Sequence, residues 1–167
     1  MGSRFKSGRG YEKRTGPIPG NLICFVMAKI KEKPDTATFH FSNVNPKGRK
    51  TGDCVVRAIS AFLGESWEQV YRELAELGIK RGTAMDCPET YVKFLETCGF
   101  VKCPMPRHAD GTRFTGREYC ERLAVGGWVY ILSMAGHLTF VNADGRIWDI
   151  WDCGEKRVGN VWKRELK

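Results

Sequence analysis

The chain has 167 residues, of which 42% are hydrophobic and 28% charged, and its formal net charge at pH 7 is +8. These values are typical of a soluble globular domain that is long enough to bury a core without disulfides or metals. No apolar run approaches the roughly 20 residues that a membrane-spanning helix needs, so the composition argues against an integral membrane protein.

The first 35 residues are predicted to be a basic, partly disordered arm. Residues 1–35 contain eight Lys or Arg against three Asp or Glu, a net charge of +5. Residues 1–20 are rich in Gly, Ser and cations and end in a Pro/Gly break, which is typical of disorder. Residues 22–28 are apolar; we interpret them as a buried strand or hydrophobic anchor, because no clean cleavage site for a signal peptide follows. Such an arm is usually a solvated tail, and contact with nucleic acid or an anionic surface is the alternative.

The folded domain is predicted to cover residues 36–167, with helices first and strands second. Hydrophobic periods and turn residues predict a short strand over 36–42 and a polar loop over 43–52. Caps and glycines then delimit four helices. The helices are predicted from Asp53 to Gly64, from Ser66 to Gly78, from Asp86 to Gly99, and from Thr115 through Leu123.

After residues 126–127, both glycine, the period changes from helix to strand. Strands are predicted over 128–134, 137–142 and 146–150, with a further one over 158–162. Residues 143–145 are a three-residue hairpin signal that ends in Gly. The prediction is an α+β fold in which a helical half precedes a small antiparallel β-sheet.

The cysteine pattern predicts free thiols in a reducing compartment. Seven cysteines are present, an odd number, and no two have C-x-x-C spacing. Reduced, mostly buried thiols fit this pattern, and we expect a cytoplasmic protein. A zinc site would need Cys87, Cys98, Cys103 and His108, whose spacing matches no common finger. Neither a metal nor an organic cofactor is predicted, and His40 and His108 are interpreted as structural residues.

Three residues could form a thiol catalytic site. Cys54 opens a predicted helix, where the dipole and the unsatisfied N–H groups stabilise a thiolate. His137 begins a strand and could act as its base, provided that an acceptor fixes its tautomer. Asp149 and Asp152 are the candidates for that acceptor. Taken singly, each residue also has a structural interpretation: a small core cysteine, a satisfied edge histidine and buried or surface carboxylates.

The hairpin register favours Asp149 over Asp152. If residues 143–145 are the whole loop, His137 faces Trp151, and Asp149 is the diagonal neighbour of His137 on the same side of the sheet. Residues 149 and 152 are three apart and point to opposite faces of a regular strand. A carboxylate buried among tryptophans also needs a partner.

The combination of Gly-Asp-Cys54 at a helix start, Gly-His137 on a strand and Asp149-Ile-Trp151 on the next resembles the papain-like cysteine peptidase superfamily. The Asp53-Cys54 segment is similar to the bacteriocin-leader-processing peptidases, and the size resembles that of the Josephin deubiquitinases. Residues 137–152 also resemble small papain-fold proteins of bacteria and their phages. The resemblance covers residues 36–155 through three short motifs.

The resemblance implies a thiol hydrolase that cleaves a peptide or isopeptide bond. It implies Cys54 as nucleophile, His137 as general base and then acid, Asp149 as the residue that orients it, and Trp151 as cleft wall. The Gln that the superfamily places before the nucleophile is missing, and Asn45 is the best substitute as oxyanion donor. Acyl transfer, as in arylamine acetyltransferases, is a lesser variant.

A different class of function is also open. Loss of an oxyanion donor costs about 100- to 1000-fold in rate. The alternative is therefore a catalytically weak or inactive binding module that contacts nucleic acid or a virion through its basic arm. Asp53 is interpreted as an N-cap and nothing more. For Arg57 we favour solvated helix surface over an ion pair with Asp53 or a contact with a substrate carboxylate.

Overall fold

A computed structural model of the chain describes residues 34–50 and 52–166. The predicted arm up to residue 33 and the apolar run over 22–28 lie outside the described residues. Four helices and six strands are present in the described ranges. In chain order they are β1 (Phe39–Phe41), α1 (Cys54–Leu63), α2 (Trp67–Arg81), α3 (Pro88–Thr97), β2 (Val101–Cys103), α4 (Gly116–Arg122), β3 (Trp128–Met134), β4 (His137–Val141), β5 (Ile147–Asp149) and β6 (Val158–Glu165).

The α+β class is confirmed, but the prediction of a purely antiparallel sheet is wrong. The six strands form one sheet in the order β1-β5-β4-β3-β6-β2, and β1 pairs with β5 in parallel. All four helices lie between β1 and β5 in the chain, a connection long enough to return the chain in the same direction. Hairpin signals report only pairs of strands that are close in sequence, so this parallel pair was not predicted.

With one exception, the helix ends lie within one residue of the predicted caps; the third helix, for instance, is capped by Cys87 and Cys98 and not by Asp86 and Gly99. α1 ends at Gly64, which has the left-handed φ of 68°, and α4 opens with the complete Thr115–Glu118 capping box. The second helix does not stop at Gly78, as predicted, but continues to Arg81 and is capped by Gly82. Gly78 is required for a different reason: a Cβ there would lie 2.7 Å from the backbone oxygen of Thr83, so glycine allows the following loop to pack closely.

The sheet has a core on each face. Alternate residues of a strand point to opposite faces, and β3 shows the result. Val129 and Ile131 pack in a cluster with residues of α1, α2 and α3, whereas Tyr130 and Leu132 pack in a second cluster with Tyr119 of α4. α1 packs against both β4 and β5, which brings its first turn to the end of the sheet where β4 starts and β5 stops.

Two sequence predictions about the chain as a whole can be compared with the described residues. No helix there has the length and apolar character to cross a membrane. The six described cysteines, at positions 54, 87, 98, 103, 120 and 153, are all free thiols.

Candidate active site

Cys54 is the first residue of α1, as the sequence predicts. The residue is partly exposed and lines a surface depression, so a reagent or substrate can reach it. Asp53 occupies the N-cap position without giving the helix a side-chain cap. The N–H groups of the first helical turn have no partner within the helix, and they give this end of α1 its positive potential. Cys54 therefore stands where a thiolate and a developing oxyanion are both favoured.

His137 is placed by a two-residue turn between β3 and β4. Met134 pairs with His137 across the hairpin, and Gly136 in the turn has a φ of 66°, a left-handed conformation that glycine adopts without strain. The His137 side chain is only 8% exposed. Its ring lies close enough to Cys54 to lower the pKa of that thiol, and the two residues line the same depression, so the structure brings together the two residues that the sequence predicted as nucleophile and base.

Asp149 lies on the other side of the imidazole. Its Oδ2 is 2.6 Å from His137 Nε2, and its Oδ1 accepts a hydrogen bond from the Ile150 backbone N–H at 2.7 Å. The predicted register is confirmed: Phe140 pairs with Trp148 and Val141 with Ile147. That register makes Asp149 the diagonal neighbour of His137. With Nε2 on the carboxylate, Nδ1 is the ring nitrogen that remains for Cys54.

Asp152 takes no part in this contact. Its carboxylate forms an ion pair with Arg117 at 3.1 Å and accepts from the Gly154 N–H at 3.0 Å. The two histidines interpreted as structural also have local partners. His40 is 2.6 Å from Asp35 Oδ2, and the ring of His108 stacks on Phe114 with centroids 3.8 Å apart.

The electrostatics of the pair favour a thiolate and an imidazolium. Burial raises the pKa of Cys54, but hydrogen bonds from His137 and from the Leu138 backbone N–H outweigh it, so the net pKa is below the ordinary value of 9.0. Burial lowers the pKa of His137, but the hydrogen bonds to Asp149, Cys153 and Cys54 raise it to about 11. These opposite shifts make proton transfer from sulfur to nitrogen favourable at neutral pH.

Cys153 is a member of the site that the sequence analysis did not identify. It is 1% exposed, and its Sγ lies 4.0 Å from Asp149 Oδ2. Burial raises the pKa of this thiol, so at neutral pH it is a neutral neighbour of the Asp149–His137 pair rather than a second thiolate. A cysteine four residues after an acid in an irregular segment has no sequence signal that would have predicted this contact.

A cation could in principle be held by the same atoms. His137, Asp149 and Cys153 offer one nitrogen, one oxygen and one sulfur, all within 4.8 Å of one another. However, His137 Nε2 and Asp149 Oδ2 are already hydrogen bonded at 2.6 Å, and a cation would have to displace that bond. In the structure these atoms therefore hold the imidazole of His137 in place.

Two interpretations of the residues around Cys54 are wrong. Asp53 is not merely an N-cap: it is 7% exposed, and Arg57, expected on the solvated surface, is 6% exposed. The Arg57 Nη1 donates to Asp53 Oδ1. Asp53 Oδ2 accepts from Asn45 Nδ2 at 2.7 Å and from Trp67 Nε1 at 2.8 Å. A buried carboxylate requires such donors, and helix periodicity alone does not predict which side chains supply them.

This network also gives Asn45 a structural role. Its side chain is buried, the amide nitrogen is engaged by Asp53, and the amide oxygen accepts from the Lys47 N–H at 2.9 Å. Asn45 thus has a structural role in the turn that delivers the chain to α1. One N–H of the amide and its oxygen are used there, so only the second N–H remains for the predicted role as oxyanion donor.

A cleft passes over the Cys54–His137 pair. A depression of about 370 Å³ on one side is walled by Tyr91 and Met134, with Asp86 on its lining. A second depression, of about 310 Å³, is lined by Lys50 and Trp151 on the other side. Both include Cys54 and His137, so an extended chain could pass across the sulfur. Trp151 lies where the sequence predicted a cleft wall, with its ring centroid 5.2 Å from that of His137.

Comparison with known proteins identifies no relative. No protein-family model matches the sequence. No curated protein and no solved structure matches the chain.

Proposed function

We propose that this protein is a thiol hydrolase of the papain-like type that cleaves a peptide or isopeptide bond. The observation that carries the proposal is the order of contacts at the end of the sheet. A partly exposed thiol at a helix start lines the same depression as an imidazole that lowers its pKa, and a buried carboxylate holds Nε2 of that imidazole at 2.6 Å. Nucleophile, base and orienting group are the three parts that thiol hydrolysis requires.

In the acylation step, the Cys54 thiolate attacks the carbonyl carbon of the scissile bond and forms a C–S bond. The His137 imidazolium donates its proton to the leaving nitrogen as the C–N bond breaks. The product amine departs and the acyl group remains on Cys54 as a thioester. Asp149 holds the imidazole in the tautomer that presents Nδ1 to the sulfur, which keeps the proton on the reaction path.

Water completes the cycle. His137, now neutral, removes a proton from a water molecule, whose oxygen attacks the thioester carbon. The C–S bond breaks, a carboxylic acid leaves, and the Cys54–His137 pair regains its proton. In both steps negative charge develops on the carbonyl oxygen. With Asn45 engaged by Asp53, we assign the oxyanion contact to the backbone N–H of Cys54, because that group lies at the uncapped start of α1.

Acylation by an activated ester tests this proposal without knowledge of the natural substrate. With p-nitrophenyl acetate, the wild-type protein should release p-nitrophenol in a burst, and intact-protein mass spectrometry should find one acetyl group, located on Cys54. Cys54→Ala should give no burst and no acetylated species. Cys87→Ala is the matched control, because Cys87 is also a partly exposed free thiol and lies at the start of a helix.

The substrate class is then tested with a peptide library and an isopeptide-linked conjugate. New termini that appear with the wild-type protein and not with Cys54→Ala support hydrolysis of these bonds. If Cys54 is neither acetylated nor faster to alkylate than a model thiol, the hydrolase proposal is wrong. The inactive binding module would then replace it, with the basic residues 1–35 as the contact to nucleic acid. A cytoplasmic location belongs to the proposal as well, since a thiolate nucleophile and six free thiols suit a reducing compartment.

A further inference from the structure

A buried arginine connects the residue before the nucleophile with the residue that orients the base. The guanidinium of Arg57 pairs with Asp53 through Nη1, and its Nη2 is 3.8 Å from Asp149 Oδ1. Arg57, Asp53 and Asp149 are 6%, 7% and 4% exposed. Three charged side chains at this depth are rare in proteins unless they compensate one another.

The charges alternate in sign along the whole series of contacts. Asp53 is followed by Arg57, then by Asp149, by the imidazolium of His137 and by the thiolate of Cys54. Ion pairs join the first four members, and His137 lowers the pKa of Cys54. Asp53 directly precedes Cys54, and Arg57 lies one turn further along α1. Asp149 ends β5. The guanidinium is therefore the link between the helix that carries the nucleophile and the strand that carries the orienting carboxylate.

We propose that Arg57 is a positioning residue of the Cys54–His137–Asp149 site, which fixes the Asp149 carboxylate, and through it the imidazole, relative to the start of α1. This proposal rests on the proposed function for its consequence, a reactive thiolate. It goes beyond that function by assigning a role to a residue outside the three reacting groups.

The positioning has a physical basis in what else holds each carboxylate. Asp53 keeps the donors Asn45 and Trp67 even when the guanidinium is removed. Asp149 keeps the Ile150 N–H and His137, but it loses its cation on the α1 side. Removal of Arg57 therefore leaves both carboxylates hydrogen bonded, while the orientation of Asp149 and the balance of charge at the site change.

Two variants and a matched control test the proposal. Arg57→Gln removes the charge and keeps much of the length. Arg57→Lys keeps the charge, but a single ammonium cannot hold two carboxylates as a planar guanidinium does. Trp67→Phe is the control: it deletes the 2.8 Å bond to Asp53 at the far end of the same network and leaves Arg57 beside Asp149.

The first measurement is the proton NMR signal of the His137 Nε2–H, which a short hydrogen bond to a carboxylate shifts far downfield. The second is the rate of Cys54 alkylation by iodoacetamide at about pH 6, below the ordinary thiol pKa. We expect Arg57→Gln to broaden or abolish the NMR signal and to slow alkylation about tenfold, because a displaced Asp149 no longer holds the imidazole in place, and a rise of one unit in the thiol pKa is a tenfold loss of thiolate at that pH. Arg57→Lys should show smaller losses in both, and Trp67→Phe should match the wild type.

The outcomes separate a positioning role from a merely structural one. If folded Arg57→Gln keeps the wild-type signal and rate, the proposal is overturned; should that variant not fold, wild-type values in folded Arg57→Lys overturn it instead. Equal losses in Trp67→Phe and Arg57→Gln also overturn it, because they would show a general loosening. If wild-type Cys54 has only the rate of a model thiol, the proposed function fails, whereas the NMR signal still tests the Arg57–Asp149–His137 link.

Discussion

Replacement of Cys54 by Ala should change the pH dependence of stability in a defined direction. The folded Cys54 thiol has a pKa below its ordinary value of 9.0, because the hydrogen bonds from His137 and Leu138 outweigh the opposing effect of burial. Below pH 9.0 the unfolded thiol binds a proton. The Cys54 thiol of the folded protein binds its proton only when the pH falls to the lowered pKa. The stabilisation is therefore complete above pH 9.0 and is lost as the pH falls through the folded pKa.

The size of this effect follows from linkage. Between the two pKa values the unfolded chain binds one proton more, so the free energy of unfolding of the wild type relative to Cys54→Ala should rise by up to about 1.4 kcal/mol per pH unit. Urea unfolding of both proteins under reducing conditions, in steps from about pH 6 to about pH 9, measures this difference directly.

Cys120→Ala is the matched control, because the pKa of Cys120 is shifted in the opposite direction to that of Cys54. Burial raises the pKa of Cys120 from 9.0 to about 12, so both folded and unfolded chains hold that proton below pH 9.0. The difference between wild type and Cys120→Ala should then be flat in this range. A flat difference for Cys54→Ala, in a variant whose His137 is still protonated, would refute the lowered pKa and with it the thiolate–imidazolium pair.

Five further substitutions, two of them controls, have clear expected outcomes. His137→Ala should reduce alkylation of the candidate nucleophile at about pH 6 to the rate of an ordinary thiol, measured with iodoacetamide. Asp149→Asn should reduce the alkylation rate less, because an amide oxygen can still accept from the imidazole. Asp152→Asn should leave the rate unchanged, because that carboxylate pairs with an arginine instead. A larger loss in Asp152→Asn than in Asp149→Asn would contradict the site geometry. Gly78→Ala should lower the free energy of unfolding by about 1–3 kcal/mol, because the added Cβ would lie 2.7 Å from a backbone oxygen. Gly126→Ala is the control, because nothing lies within 4 Å of a Cβ at that position. Urea unfolding that finds the two alanine variants equally stable would contradict the packing argument.

Much of the candidate site could be predicted because it depends on local rules. A three-residue hairpin loop sets the pairing of β4 with β5, and strand alternation then places Asp149 diagonally to His137. Cys54 could be placed at a helix start because the preceding loop ends in Gly52-Asp53 and the apolar period begins there. Each of these steps needs only residues that are close in sequence.

The parts that were missed depend on contacts between distant segments. Arg57 looks like a surface residue of an amphipathic helix, and its position beside Asp149 depends on the packing of α1 against β5. The parallel pairing of β1 with β5 joins residues more than 100 positions apart, which no turn signal reports. Cys153 contacts Asp149 from an irregular segment after β5, where neither the helical nor the strand period of hydrophobic residues applies.

The most direct measurement of the central claim is the rate at which iodoacetamide modifies each thiol at about pH 6, with the modified residue located by peptide mapping. A free model thiol with a pKa of about 8.5 is roughly 0.3% ionised at that pH, so a thiol whose pKa is lowered by His137 has a larger ionised fraction, partly offset by the lower nucleophilicity of a weaker base. The account predicts that Cys54 is modified first, and at least about tenfold faster than a free model thiol. Modification of Cys54 at or below the rate of the model thiol would contradict the proposal that it is an activated nucleophile.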